Sequence, residues 1–212
     1  MTDFFTPCWK SAHRDRLAVW LAACCLIVMS IHAANAQVAG SEVTQLRLER
    51  NADGIELFAN VRLELPAAVE DALGKGVAMV FLAEADVVRH RWYWTDRKIA
   101  TAQRHMRLAY QPLTRRWRLN VASGPMSPNS LGLALNLNFD SLEEAMSTME
   151  RISAWKIADA SMIDADSTHK VEFRFGLDTT QLPRVFQIGA FGQSDWNLRV
   201  SATQQIGPEK SR

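Results

Sequence analysis

From Ile55 to Leu65 the chain alternates with a period of two: Ile55, Leu57, Ala59, Val61, Leu63 and Leu65 fall on one side, and Glu56, Phe58, Asn60, Arg62 and Glu64 on the other. A helix would scatter the apolar set around its axis, whereas an extended strand puts it on one face, so this run must lie as a half-buried strand over a core. Just before it, Leu46 and Leu48 alternate with Arg47 and Glu49, and Asn51-Ala52-Asp53-Gly54 supplies turn chemistry. A hairpin closed there sets Leu48 opposite Leu57 and Leu46 opposite Ala59, both on the core side.

A second hairpin passes the same test. With Pro112 to Arg115 as the loop, Tyr110 faces Trp117, Leu108 faces Leu119 and Met106 faces Val121, while Arg107, Arg116 and Arg118 point the other way. Further strands are expected at Val77 to Val88, Leu131 to Phe139, Val171 to Leu177 and Trp196 to Ala202. Two helices interrupt them. A short one, 67–73, follows Pro66 and stops at Gly74 as a left-handed cap. A better one, 141–153, opens with the capping-box pair Ser141 and Glu144, and carries the stripe Leu142, Ala145, Met146, Met149 and Ile152. The expected class is mainly β: an antiparallel β-sandwich, immunoglobulin-like or open-barrel-like, with one well-formed helix and one short one.

The first 36 residues read as a targeting segment. Lys10, Arg14 and Arg16 precede a 15-residue apolar run from Leu17 to Ile31, and Ala34-Asn35-Ala36 is an A-x-A site with cleavage after Ala36. The expectation is a signal peptide over 1–36, a single β-rich domain over 37–204, a disordered tail over 205–212, and a periplasmic location. The alternatives are an uncleaved membrane anchor, or lipidation at Cys24 within Leu21-Ala22-Ala23-Cys24. Cys8, Cys24 and Cys25 all precede the cut, so the exported domain is expected to have no thiol and no disulfide.

Composition bears on partners. With 24 Lys and Arg against 23 Asp and Glu, the chain lacks the basic excess that phosphate neutralisation demands, which argues against nucleic acid as its partner. His90, His105 and His169 fall in no metal or nucleophile motif, and no phosphate loop is present, so neither cofactor nor metal is expected and the reading leans away from an enzyme. An unrecognised hydrolase stays as an alternative. Asp164-Ala165-Asp166-Ser167-Thr168 starts like a calcium loop, but His169 stands in place of the glycine and Phe175 in place of the closing glutamate, so it reads as a solvated turn.

Charge is unevenly placed. Between Asp86 and Arg118 nine basic residues stand against two acidic ones, interleaved with Trp92, Tyr93, Trp94, Tyr110 and Trp117. From Asp140 to Asp166 seven acidic residues stand against two basic ones. Either the two blocks face each other or are simply solvated, or the basic one is a contact surface for an acidic partner or an anionic envelope surface. The candidate contact residues are Arg91, Trp92, Tyr93 and Trp94, with Arg107, Arg116 and Arg118. A binder of an anionic small molecule or lipid, held in the mouth of the sandwich, is the second reading.

Arg91-Trp92-Tyr93-Trp94, Ser141-Leu142-Glu143-Glu144-Ala145, Leu177-Asp178-Thr179 with Leu182-Pro183, and Asp195-Trp196-Asn197-Leu198 resemble the exported proteobacterial family known as domain of unknown function 4390 (DUF4390). The resemblance runs from about Glu42 to Ala202 and implies a signal peptide, no assigned activity and no catalytic residues to carry over. It also implies a gene neighbourhood shared with a membrane sensor kinase, and hence an envelope protein as partner, with peripheral membrane contact allowed. The chain departs from the family at Leu182-Pro183-Arg184-Val185, where relatives commonly carry a second proline after the basic residue.

Overall fold

The computed structural model describes residues 40–89, 97–124, 135–164, 166–184, 186 and 196–208. The expected signal peptide with Cys24 and Ala36, the quartet Arg91 to Trp94, and residues 131–134 of one expected strand lie outside them.

Among the described residues nine strands form two antiparallel sheets. They are β1 (Glu42–Asn51), β2 (Gly54–Arg62), β3 (Met79–Arg89), β4 (Arg97–Gln111), β5 (Arg116–Ser123), β6 (Leu135–Phe139), β7 (Arg151–Asp159), β8 (His169–Leu177) and β9 (Arg199–Ile206). The smaller sheet has the order β1-β2-β7 and the larger β6-β5-β4-β3-β8-β9. Both expected hairpins form with the expected register: Leu48 opposite Leu57 and Leu46 opposite Ala59, then Tyr110 opposite Trp117, Leu108 opposite Leu119 and Met106 opposite Val121.

The first turn is one step tighter than four residues, because Asn51 and Gly54 already pair. The Asn51 side-chain oxygen accepts from the backbone N–H groups of Asp53 and Gly54, both at 3.0 Å. Gly54 is required twice over: its φ is +141°, and a Cβ there would lie 2.0 Å from the Ala158 carbonyl oxygen.

The sandwich core is built by alternation. Phe81, Ala83, Ala85 and Val87 of β3 and Val171, Phe173 and Phe175 of β8 are all fully buried, facing Ile55, Leu57 and Ala59 of β2 within one continuous cluster. The sheets touch along β1 and β9 on one side and along β4 and β7 on the other. This strand order, a meander with two strands added at one end, is not the split order of immunoglobulin domains, and the sheets do not close into a barrel.

Among the described residues two α-helices complete the layer. α1 (Ala67–Gly74) ends one residue later than expected, and the left-handed glycine that closes it is Gly76, with φ +84°, not Gly74. The Val77 N–H reaches the Ala72 carbonyl and the Gly76 N–H that of Leu73, a Schellman closure. α2 (Leu142–Glu150) is capped as expected, Ser141 Oγ accepting from the Glu144 N–H at 3.1 Å, and buries Ala145, Met146 and Met149 against β2, β5 and β6. It stops at Glu150, short of 153. Ile152, expected on its stripe, belongs to β7 and pairs with Ala59. Gln205 and Ile206, expected in the tail, extend β9 opposite Lys170 and His169.

Candidate functional site

The β4–β5 hairpin sorts its side chains by parity. Met106, Leu108, Trp117 and Leu119 go to the core, which forces Arg107, Arg116 and Arg118 onto the outer face of the larger sheet, where all three are exposed. Asparagines continue the same face: Arg107 pairs across to Asn120, which pairs with Asn136, and Arg118 pairs with Asn138. Arg118 Nε donates to Asn138 Oδ1 at 3.4 Å, Arg116 lies 3.1 Å from Asp140, and Arg107 has neither ion-pair nor side-chain hydrogen-bond partner among the described residues. The result is a polar field with hydrogen-bonding capacity to spare, on a surface where each ion pair is worth little in water.

Among the described residues the two charge blocks meet at Arg116 with Asp140 and at Arg89 with Asp164, the latter at 2.7 Å, and Arg107 and Arg118 form no ion pair across them. Asp164 is tied down locally: it accepts from Ser167 Oγ at 3.1 Å and from the Asp166 N–H at 3.4 Å, and these bonds with Arg89 hold its carboxyl below the usual range. Among the described residues no cluster of acidic and histidine side chains is placed to hold a metal. Arg91, Trp92, Tyr93 and Trp94 lie outside the described residues, directly between Arg89 of β3 and Arg97 of β4.

Three polar arrangements escape a reading by motif. On the outer face Asp86, 2% exposed, receives Thr101 Oγ1 at 2.7 Å, Lys98 Nζ at 2.8 Å and Arg174. Burial alone would raise its pKa, but the hydrogen bonds from Lys98, Thr101 and Arg174 outweigh that and hold it below the ordinary value. At one end His169 is fully buried and its Nδ1 accepts from Arg50 Nη2 at 3.4 Å; burial and the cations of Arg50 and Arg89 push its pKa down. His105 is also buried, on the outer face between Leu82 and Ala122.

The third is Arg104. It pairs with the fully buried Ala83, so its side chain points between the sheets, where its guanidinium lies 5.0 Å from the ring centroid of Trp155 on β7. Burial lowers its pKa, and no carboxylate among the described residues stands within 4.0 Å of it. Extending the Met106–Leu108 parity back by one step would have placed Arg104 inward; counted only as one charge in a basic stretch, it was missed.

These features define a two-layer antiparallel β-sandwich whose larger sheet presents an arginine–asparagine face outward and one stacked arginine inward. The chain belongs to the family called domain of unknown function (DUF4390), whose model matches residues 39–206. No curated protein and no solved structure matches the chain. Among the described residues no helix is long and apolar enough to cross a membrane.

Proposed function

We propose that this chain is an exported, non-enzymatic binding module of the bacterial envelope that docks on an acidic surface of a membrane-associated protein, such as the extracytoplasmic part of a sensor kinase. The observation that supports this reading most is the single exposed face carrying Arg107, Arg116 and Arg118 with Asn120, Asn136 and Asn138. Guanidinium groups that give up little structural bonding are free to form bidentate bonds to partner carboxylates, and such faces raise association rate and orient the encounter. Arg91, Trp92, Tyr93 and Trp94 are proposed as further contact residues for the same partner.

The test is capture of the tagged protein from crosslinked envelopes, beside a variant carrying Arg107→Glu, Arg116→Glu and Arg118→Glu. The reading expects a membrane protein recovered by the parent, lost by the variant and released by salt. Equal recovery by both, or none by either, would remove the basic face from the account.

A further inference from the structure

Where β4 and β7 approach, the described residues leave clefts between the two sheets. β5 pairs with β4 only from His105 to Gln111, so β4 from Arg97 to Gln103 has no ladder on that side among the described residues. Opposite it runs β7, which among the described residues pairs with β2. Between the two strands lie adjoining clefts of about 400 and 650 Å³ that share Thr101 and Lys156, within the size range of small-ligand sites. Ile99, Ala100, Ile157 and Met162 line one and Ala102, Arg104 and Trp155 the other, and Met162 is 52% exposed, apolar surface left uncovered.

The Arg104 guanidinium has lost part of its water and, among the described residues, gained a ring face in exchange. An arginine over tryptophan is favourable, yet its in-plane N–H groups stay unused by that contact, and a part-buried charge is stabilised by an anion more than a fully exposed one is. Lys156 also lines both clefts, its ammonium 2.6 Å from Asp159 in an exposed pair. Both facing strands are bulged, β4 where the register skips Ile99 and β7 around Ala154, whose φ is 45°. Bulges break the even row of donors and acceptors that an added peptide strand needs. The cleft therefore recognises its occupant through side chains: the part-buried Arg104, the exposed Lys156–Asp159 pair and an apolar wall.

We propose that this cleft binds an anionic amphiphile, its carboxylate or phosphate head on Arg104 above Trp155 and its alkyl body along Ile99, Ala102, Ile157 and Met162. The site is independent of the docking face on the outer side of the sheet.

Isothermal titration calorimetry of the purified protein, in the form that cells accumulate, tests this with dodecanoate, dodecyl phosphate and neutral dodecanol, each kept below its micelle concentration. The expected result is saturable one-to-one binding of an anionic probe, weakened about tenfold or more by Arg104→Gln. Dodecanol should bind more weakly and be indifferent to that change. Preference for the carboxylate points to free fatty acids, and preference for the phosphate to phospholipid heads. Met162→Asp, at an exposed position, should also weaken both anions and decides the matter if Arg104→Gln does not fold. The proposal is overturned if no anionic probe binds, if both variants bind as the parent does, or if an acidic peptide binds in the amphiphile's place.

Discussion

Asp86 shows how a buried charge is tolerated in this sheet. With Lys98, Thr101 and Arg174 all bonded to a carboxylate that is 2% exposed, removing the charge leaves two cations and a hydroxyl facing a neutral group. Asp86→Asn should cost about 2 kcal/mol of unfolding free energy, read as a lower urea midpoint at pH 7. Because its folded pKa lies below the unfolded one, this stabilisation is present above about pH 4 and is lost as pH falls through the folded value. His169 works in a separate window. Its imidazole is held neutral by burial beside Arg50, so below about pH 6.5 the unfolded chain takes up a proton that the folded one refuses, and stability falls with further acidification. Urea midpoints between pH 7.5 and 5 should drop for the parent, and His169→Gln should flatten that slope.

At the scale of elements, strand junctions are held by backbone approaches that exclude side chains. A Cβ at Gly176 would lie 2.3 Å from the Leu198 carbonyl oxygen, where β8 meets the chain entering β9 and the Leu177 N–H bonds to that same oxygen. Gly176→Ala should destabilise by about 2 kcal/mol or more, and Ser141→Ala, which removes the α2 cap, by about 1 kcal/mol, both measurable by thermal unfolding. Elements with unbroken parity were legible in the sequence: β2, the β4–β5 hairpin and its neighbours need only a period of two and a turn. β7 was not. Its bulge at Ala154 puts Ile152 and Trp155 three apart, and Ile152 follows Met149 by three, so the strand imitates a continuing helix until pairing with β2 decides otherwise. The first half of β4 was hidden in the same way, by the skipped Ile99 and by polar residues on both of its faces. The outward placement of Arg107, Arg116 and Arg118 was readable because parity alone fixes it, whereas Asp86 with Lys98 and Arg174 joins three strands and leaves no local pattern.

For the whole molecule, a sandwich whose stability rests on one continuous core can carry its function on a face that the core does not need. Reversing Arg107, Arg116 and Arg118 to Glu should therefore shift the melting temperature by no more than about 3 °C, since exposed charges contribute little to folding. A larger loss would assign these residues to structure. The central claim is that the arginine–asparagine face meets a partner, and site-specific photocrosslinking in intact cells tests it most directly. A photoreactive residue at Asn120, amid that face, should yield a discrete adduct with an envelope protein, while one at Glu49 on β1 should not. Adducts formed equally from both positions, or from neither, would contradict the account.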